Sequence, residues 1–475
     1  MENKKTEIGI VGLGVMGRNL SLNVADHGFS VAGYDKDSTK VEALLEQKQE
    51  GTVHAAEEVR RFIELLRTPR AILILVPAGA AVDSVIDDLL PHLKQGDVLI
   101  DGGNSHYTDT ERRMDRLQSQ GIHFLGMGIS GGEAGARYGP SMMPGGDREA
   151  YARVQTVLEA CAARVEGDPC VTYLGPRSAG HYVKMVHNGI EYALMQLIAE
   201  SYDLMSRGLG LDDAAIAAAF SDWSEEQLHG YLMGITADIF RKPDDRSEGR
   251  LIDNILDAAR QNGTGQWTAQ SALDLRVPTL TIDTAVAMRN LSADLSSRLA
   301  IARKFENARH PIELAEGLFL DHLEHSLYAA MIVAYAQGMD LLQAASQEYH
   351  YDLDLADVAC IWRGGCIIRS VLLNAIRSAY AADSSLSPML LDDHLGAEAY
   401  GRMNVLRDLV TRALQAGSPV PGFSSALAYL ESLRSAWLPA NLIQAQRDYF
   451  GAHSYQRIDV EGDFHTDWAE PKEQE

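Results

Sequence analysis

The first third of the chain alternates short runs of β-branched residues with amphipathic stretches. Most of the apolar runs are separated by segments with helical spacing, such as Thr110–Gln120. Such alternation is typical of βαβ units and a parallel sheet. We therefore predict an α/β fold that begins with a Rossmann-type, doubly wound sheet. The predicted strands are Glu7–Val11, Ser30–Tyr34, Ala71–Val76, Asp97–Ile100, Ile122–Leu125 and Val171–Leu174.

The pattern changes after Gly175-Pro176. Long windows rich in Ala, Leu and Met, such as Val183–Met205 and Leu323–Ala345, predict a large all-helical domain. From Pro439 the sequence becomes polar and aromatic and loses its period, which predicts a tail that is disordered or held on another surface. The expected parts are a dinucleotide-binding domain at 1–177, a substrate and dimerisation domain at 178–437, and an extended C-terminal tail at 438–475.

Composition narrows the classes of function. Acidic residues outnumber basic ones by 66 to 42, which gives a formal charge of -24 in 475 residues. So negative a chain argues against nucleic-acid binding, because phosphates require basic patches. The start of the chain predicts no signal peptide, and no apolar run in the first third is long enough to span a membrane. The four cysteines lack C-x-x-C spacing, so we expect free thiols in the cytoplasm and no metal site.

A glycine-rich segment directly follows the first predicted strand. Its residues are Gly12, Leu13, Gly14, Val15, Met16 and Gly17, which match G-x-G-x-x-G and open a helical stretch. In this pattern the first glycine allows a tight turn, the second lets a diphosphate approach the backbone, and the third lets helix and strand pack closely. The diphosphate then lies at a helix N-terminus, where free N–H groups favour anions. The motif predicts a nicotinamide dinucleotide site.

The residues at the end of the second predicted strand indicate which dinucleotide is bound. Asp35 lies roughly 20 residues after the glycines, where a carboxylate accepts hydrogen bonds from the adenosine ribose and repels a 2′-phosphate. Lys36 could serve a phosphate, but Asp37 restores the negative balance. The pattern favours NAD over NADP. The alternative is a solvated turn whose charges point to water.

Lys184, His187, Asn188 and Glu191 share one face of a predicted helix, at spacings of three, four and seven residues. Such a stripe is often a salt-bridged surface. The other faces of this helix are apolar, however, so the helix should be buried and the stripe should line a cavity. Burial lowers the pKa of a lysine and raises that of a carboxylate. Lys184 is then a candidate general base and Glu191 a candidate proton donor.

Several longer motifs give the chain a resemblance to the family of 6-phosphogluconate dehydrogenases, the decarboxylating enzymes of the pentose phosphate pathway. The resemblance runs essentially end to end. The motifs that carry it are the glycine-rich segment, Asp101–Ser105, Gly128–Glu133, Lys184–Tyr192, Gly263–Gly265, Trp362–Cys366 and Gln446–His453. Taken without the resemblance, the glycine pair within Trp362–Cys366 indicates close packing, and the histidines His322 and His325 indicate surface or core positions.

The resemblance implies chemistry for the polar helix. Lys184 would take a proton from the C3 hydroxyl of 6-phosphogluconate while hydride passes to the nicotinamide, and Glu191 would protonate C1 after carbon dioxide leaves. It also implies a homodimer whose C-terminal tail enters the partner's active site. The implied sugar-acid ligands are Asn104, Ser130, Gly131, Gly132, His187 and Asn188. The implied phosphate ligands are Tyr192, Thr264, Arg289 and Arg447, and His453 lies in the same tail.

Three departures from the family's usual sequence bear on specificity. Asp35-Lys36-Asp37 replaces Asn-Arg-Thr, and Val76, Pro77 and Ala78 replace Val-Lys-Ala at the cofactor edge, which Asn104 also borders. Both changes remove cations and point to NAD. Asn262 and Gln266 replace two lysines around the Thr264 motif, so we expect weaker binding of the substrate phosphate. The alternatives that stay open are NADP dependence, unphosphorylated gluconate as substrate, a non-decarboxylating β-hydroxyacid dehydrogenase, and a non-catalytic dinucleotide-binding protein.

Overall fold

The computed structural model describes residues 5–47, 52–305 and 309–468. By its internal contacts the chain divides into two compact units, Met1–Leu427 and Ala428–Glu475. Among the described residues, no helix combines the length and the apolar character that crossing a membrane requires.

A seven-stranded sheet forms the N-terminal part of the first unit. Its strand order is β3-β2-β1-β4-β5-β6-β7, with every pair parallel except β6 and β7. The chain leaves β1 in one direction and returns on its other side at β4, which creates a crevice at the carboxyl ends of these strands. The strands are β1 Ile8–Val11, β2 Val31–Tyr34, β3 Val53–Ala56, β4 Ala71–Ile74, β5 Val98–Asp101, β6 His123–Ser130 and β7 Ser141–Gly146.

Helices cover both faces of the sheet. The strands β1, β2, β4 and β5 are fully buried, as the near-continuous apolar runs of a parallel sheet require. Two separate apolar cores result, one around Ile10 and Leu73 and the other around Ile72 and Phe62. The helices of this region are α1 Val15–Asp26, α2 Ser38–Glu46, α3 Val59–Leu65, α4 Ala80–Leu89, α5 Tyr107–Gln118, α6 Gly132–Tyr138 and α7 Arg148–Cys161.

The sheet departs from the sequence prediction at its last strand. The segment Val171–Leu174 was predicted as a strand, but only Val171 forms a bridge, to Met142. The edge strand is instead β7. Because Pro144 in β7 has no backbone N–H, the hydrogen bonds to Val171–Leu174 do not continue as a ladder. The Pro-Gly-Gly sequence of β7 is typical of a turn. The short strand β3 was also missed, and a hairpin of β8 Arg164–Val165 and β9 Asp168–Pro169 follows α7.

The rest of the first unit is helical, as predicted. Its centre is α8, which is buried along most of its length and packs on β6, β7, α11, α12 and α14. The helices are α8 Ala179–Asp203, α9 Asp213–Trp223, α10 Tyr231–Arg241, α11 Thr264–Asp274, α12 Leu280–Ala293, α13 Leu295–Lys304, α14 Glu316–Tyr349, α15 Leu355–Trp362, α16 Leu372–Ala382, α17 Asp393–Gly401 and α18 Met403–Gln415. The boundary between the units falls within α19 Pro421–Leu433.

Glycines bring α8 directly onto the sheet. A Cβ on Gly128 in β6 would lie 2.2 Å from Cβ of Lys184, and one on Gly145 in β7 would lie 2.2 Å from the backbone nitrogen of Gly180. Any larger residue at either position would separate the helix from the sheet. The first half of α8 is thereby fixed beside the carboxyl end of β6.

The second unit contains a helix and a hairpin, although the sequence had indicated an aperiodic tail. They are α20 Ala440–Gly451 and the pair β10 Tyr455–Gln456 and β11 Asp463–Phe464. The fully buried carboxylate of Asp448 ties them together, because it accepts hydrogen bonds from Ser454 N, Thr466 N and Trp468 Nε1 at 2.8–3.0 Å. These bonds and the neighbouring His465 hold the pKa of Asp448 at about 2 despite burial.

Candidate active site

The glycine-rich segment forms the turn between β1 and α1. A Cβ on Gly12, which has a φ of 93°, would lie 2.4 Å from the carbonyl oxygen of Leu75, and a Cβ on Gly17 would lie 1.8 Å from the carbonyl oxygen of Gly12. A Cβ on Gly14 would meet nothing within 4 Å. The first and third glycines therefore allow close backbone packing, whereas the second leaves open space at the start of α1. This geometry fits a dinucleotide diphosphate.

Asp35, directly after β2, accepts a hydrogen bond from the glycine-rich turn. Its Oδ2 accepts a hydrogen bond from Leu13 N at 2.8 Å, and its Oδ1 accepts one from Asp37 N at 3.0 Å. Two lysines of the described part of this region are paired: Lys36 Nζ lies 2.7 Å from Asp88, and Lys40 Nζ lies 3.5 Å from Asp35. The local balance of charge is therefore unfavourable for an additional phosphate.

Two loops border the crevice opposite the glycine-rich turn. Val76, Pro77 and Ala78 follow β4 and are partly or fully exposed, and Asn104 is exposed in the loop after β5. The loops lie side by side, because a Cβ on Gly103 would be 3.2 Å from the carbonyl oxygen of Val76. The structure thus brings these predicted cofactor contacts to one edge of the sheet.

The polar stripe of α8 is buried, as its apolar neighbours indicated. Lys184 Nζ lies 3.4 Å from His187 Nδ1, which is 3.0 Å from Asn188 Oδ1 and 3.8 Å from Glu191 Oε2. Lys184, His187 and Asn188 are less than a tenth exposed, while the Glu191 side chain keeps 20% of its surface. The alternative of a solvated salt-bridged face is wrong, because three of the four side chains are withdrawn from water.

Burial perturbs every titratable group of this stripe. Desolvation lowers the pKa of Lys184, although the nearby Glu191 carboxylate opposes the change. The pKa of His187 falls well below its ordinary value because the ring is desolvated and faces Lys184. Desolvation raises the pKa of Glu191, against the attraction of Lys184 and Arg289. Burial therefore shifts an amine and a carboxyl, two helical turns apart, toward their neutral forms, which is an arrangement suited to acid–base chemistry.

The end of β6 and the turn into α6 meet the segment Trp362–Cys366 and the residue after it beside this stripe. Ser130 Oγ lies 3.2 Å from His187 Nε2 and accepts a hydrogen bond from Ile367 N at 3.4 Å. A Cβ on Gly131, which precedes Gly132 at the start of α6, would lie 2.4 Å from the carbonyl oxygen of Gly365. The glycine pair of this segment does serve close packing, as its sequence indicated, but the packing shapes the candidate site.

The residues Trp362 and Cys366 were not predicted to adjoin the site. The Trp362 ring centre lies 5.7 Å from that of His187, edge to face. Cys366 is fully buried near Lys184, and desolvation raises the pKa of its thiol to about 12, so the thiol is neutral at physiological pH. No spacing in the sequence could have revealed these contacts, because they join positions about 180 residues apart.

Residues at the start of α11 and on α12 lie beside the polar stripe of α8. Asn188 Nδ2 donates to Thr264 Oγ1 at 3.0 Å. The guanidinium carbon of Arg289 stands 3.4 Å above the Tyr192 ring, and a Cβ on Gly265 would lie 2.4 Å from the same ring. An aromatic face stacked on a guanidinium holds that cation in a fixed plane. The guanidinium donates to the carbonyl oxygen of Arg260 at 3.2 Å and to Met195 Sδ at 3.4 Å. Its charge also attracts the Glu191 carboxylate, so a cation lies near Glu191, as phosphate binding would require.

Arg447 and His453 lie in the second unit. Arg447 is exposed on α20, where its Nη1 donates to Gln444 Oε1 at 3.0 Å, and His453 is exposed and packs edge-on against Phe450. Among the described residues, no group of three or more His, Cys, Asp or Glu side chains is arranged to hold a metal ion.

Comparisons with known proteins agree over nearly the whole chain. The profile described as the NAD binding domain of 6-phosphogluconate dehydrogenase matches residues 7–175, and that of the C-terminal domain of the same enzyme matches residues 180–468. The chain is 48% identical to the NADP(+)-dependent, decarboxylating 6-phosphogluconate dehydrogenase of Bacillus subtilis, over 98% of this chain and 99% of that protein. It is 47% identical to a decarboxylating 6-phosphogluconate dehydrogenase of Lactococcus lactis over the same shares.

A solved structure shares the fold. The 6-phosphogluconate dehydrogenase of Plasmodium falciparum, studied in its apo form and with NADP+ and 6-phosphogluconate, superposes with a TM-score of 0.93 at 43% identity. The match covers 97% of this chain and all of that one.

Proposed function

This chain belongs to the 6-phosphogluconate dehydrogenase family, and we propose that it converts 6-phospho-D-gluconate to D-ribulose 5-phosphate and carbon dioxide with NAD as its preferred cofactor. It is an NAD(P)-dependent oxidoreductase of the decarboxylating type. The observation that carries the proposed roles is the buried stripe of α8, in which an amine and a carboxyl are both shifted toward their neutral forms.

Lys184 acts as the general base in the oxidation step. Its neutral amine removes the proton of the C3 hydroxyl, and His187, which is kept neutral, adds no competing charge. A bound nicotinamide supplies the acceptor for the C3 hydride. The product is a 3-keto acid with its carboxylate β to the new carbonyl, so carbon dioxide leaves as the electron pair moves into an enediol. The proton held by Lys184 is available to the carbonyl oxygen at that step.

Glu191 supplies the last proton. Desolvation raises its pKa, which favours the protonated carboxyl as a donor to C1 of the enediol. As C1 is protonated, the neighbouring hydroxyl returns its proton to the Lys184 amine, and the ketone of the product forms. Lys184 and Glu191 lie two helical turns apart on one face of α8, so they reach different carbons of the same extended substrate. Because both side chains are on one helix, the spacing between the amine and the carboxyl along it is fixed.

The remaining predicted ligands hold the two ends of the substrate. Ser130, Gly131, Gly132, His187 and Asn188, with Asn104, bind the sugar acid, and Tyr192, Thr264 and Arg289 bind the phosphate. The packing of Arg289 on Tyr192 supports the phosphate assignment, since a fixed guanidinium binds phosphate oxygens in pairs. In a homodimer that exchanges its tails, Arg447 and His453 of the partner subunit reach the same site. The exposure of both residues supports this part of the proposal.

The preference for NAD is supported by the charges beside the glycine-rich turn. Asp35 accepts a backbone hydrogen bond there, and both neighbouring lysines are paired with carboxylates. A 2′-phosphate would meet this negative surface, and within residues 5–47 neither Lys36 nor Lys40 is unpaired beside it. The alternative is NADP dependence, which is favoured by the name of the Bacillus subtilis relative.

A matrix of two cofactors and two substrates tests the proposal. The enzyme is assayed with NAD or NADP and with 6-phosphogluconate or gluconate, and released carbon dioxide is measured beside the reduced cofactor. We expect one carbon dioxide for each reduced cofactor, a higher kcat/KM with NAD, and a higher kcat/KM with the phosphorylated substrate. A higher kcat/KM with NADP would overturn the cofactor preference alone. Turnover without carbon dioxide would overturn the reaction.

A further inference from the structure

Arg113 is a fully buried arginine on α5, between the two loops that border the crevice. One loop runs from Val76 to Gly79 after β4, and the other runs from Gly102 to Ser105 after β5. The Arg113 side chain is only 1% exposed, although arginine is almost never buried unless it is paired. Since the proposed function places both loops at the cofactor, whatever fixes their spacing shapes the cofactor site.

One side of the Arg113 guanidinium holds the first loop. Its Nη2 donates to the carbonyl oxygen of Gly79 at 3.0 Å. Its Nε and Nη2 donate to the two carboxylate oxygens of Asp83, in the first turn of α4, at 2.9 and 3.2 Å. These bonds lower the pKa of Asp83 to about 2, so the pair is ionised at physiological pH. The loop end and the start of α4 are thereby fixed to α5.

The other side of the guanidinium holds the second loop. Arg113 Nη1 donates to Asp101 Oδ2 and to Ser105 Oγ, both at 3.1 Å. The fully buried Asp101 also accepts hydrogen bonds from Ser105 Oγ at 2.6 Å and from Gly103 N at 3.1 Å. The loop that carries Asn104 is therefore fixed on both sides of that residue.

We propose that Arg113 is a positioning residue for the nicotinamide cofactor: its guanidinium joins the Gly79 loop to the Asn104 loop and fixes the position of both loops along their side of the crevice. The proposal rests on the proposed function, which assigns the two loops to the cofactor. Only arginine supplies a planar fork with donors on several sides. A lysine at this position would keep the charge but could not hold both loops with its single ammonium.

Arg113→Lys tests the proposal against Arg112→Lys as a matched control. Arg112 is the preceding residue of α5, and its hydrogen bonds go to the carboxylates of Asp83 and Asp109. Binding of NAD to the full-length enzyme is measured by titration calorimetry, so the readout does not depend on turnover. We expect Arg113→Lys to raise the Kd for NAD about tenfold, which corresponds to about 1.4 kcal/mol. The Kd for 6-phosphogluconate should change less than threefold, and Arg112→Lys should change neither.

Ser105→Ala gives a second, milder test that leaves both carboxylate partners of Arg113 in place. It removes the hydrogen bond that Ser105 Oγ accepts from Arg113 and the one that it donates to Asp101. We expect the Kd for NAD to rise about threefold with an unchanged melting temperature. The proposal is wrong if a folded Arg113→Lys enzyme binds NAD like the wild type, or if both ligands weaken equally. If Arg113→Lys does not fold, Ser105→Ala decides, and an unchanged Kd for NAD then overturns the proposal.

The outcome for Arg113 can be separated from that of the proposed function. The wild-type assays with both substrates test the reaction by themselves. If the wild type binds NAD but does not oxidise 6-phosphogluconate, the proposed function fails. A selective loss of NAD binding in Arg113→Lys would still support the positioning role.

Discussion

Replacing Lys184 by methionine removes the amine of the proposed base but keeps an unbranched side chain of similar volume. General base catalysis contributes roughly 10²–10⁴-fold to a rate. We therefore expect Lys184→Met to lower kcat by about that factor, which corresponds to about 3–5 kcal/mol in the activation free energy. Lys94→Met, which removes an exposed lysine before β5, should leave kcat unchanged.

We expect Lys184→Met to lower activity but to leave the folded protein as stable as the wild type or more stable. The folded state lowers the pKa of Lys184, so at neutral pH the unfolded chain binds the proton more tightly and the buried amine opposes folding. This penalty is fully present below the folded-state pKa and disappears as the pH rises through the ordinary value of 10.5. Methionine has no such penalty. Glu191 keeps a partly exposed side chain and can remain protonated, so its carboxyl is not left as a buried charge.

The assay pairs steady-state kinetics with thermal unfolding at pH 7.5. We expect a loss of at least a hundredfold in kcat together with a melting temperature equal to or above that of the wild type. A kcat within threefold of the wild type would refute the role of Lys184 as base. A large fall in melting temperature would refute the reasoning that this amine is buried at a cost to the folded state.

Three further substitutions probe other parts of the site. Asp35→Asn should lower the ratio of kcat/KM for NAD over NADP about tenfold, because repulsion of the 2′-phosphate is relieved. Asp245→Asn, which changes an exposed carboxylate outside the proposed site, is the control. An unchanged ratio in Asp35→Asn would contradict the role. Arg289→Met should raise the KM for 6-phosphogluconate at least tenfold and leave that for gluconate unchanged, since it removes a charged hydrogen bond worth about 1.5–3 kcal/mol; equal effects on both substrates would speak against phosphate contact. Glu200 is buried, and its carboxylate accepts hydrogen bonds from two backbone nitrogens at the start of α19. Burial raises its pKa from 4.5 to about 7, so its contribution to stability is fully present below pH 4.5 and is lost as the pH rises toward 7. The free energy of unfolding of Glu200→Gln, measured by chemical unfolding, should therefore rise relative to that of the wild type by roughly 3 kcal/mol between pH 4.5 and 8. A difference in unfolding free energy that does not change with pH would contradict this prediction.

Much of the framework follows from local sequence. The alternation of apolar runs with amphipathic segments predicted the parallel sheet, and the long apolar windows predicted the helical part. The function of the glycine-rich segment could be predicted because each glycine is required locally, either to leave space or to adopt a positive φ. The burial of Lys184 could also be predicted, because apolar residues occupy the other faces of its helix.

Only the tertiary structure decided which distant segments meet. The strand β7 contains Pro-Gly-Gly and was missed, because its pairing with β6 and its close approach to α8 outweigh its local turn propensity. The segment Trp362–Cys366 and Arg113 carried no local sign of a role in the site, since one lies far from α8 in sequence and the other resembles any polar residue of an amphipathic helix. Periodicity reports which face of an element is buried but not what it is buried against. That partner is set by the fit of surfaces from the whole chain, so it emerges only when the chain is folded.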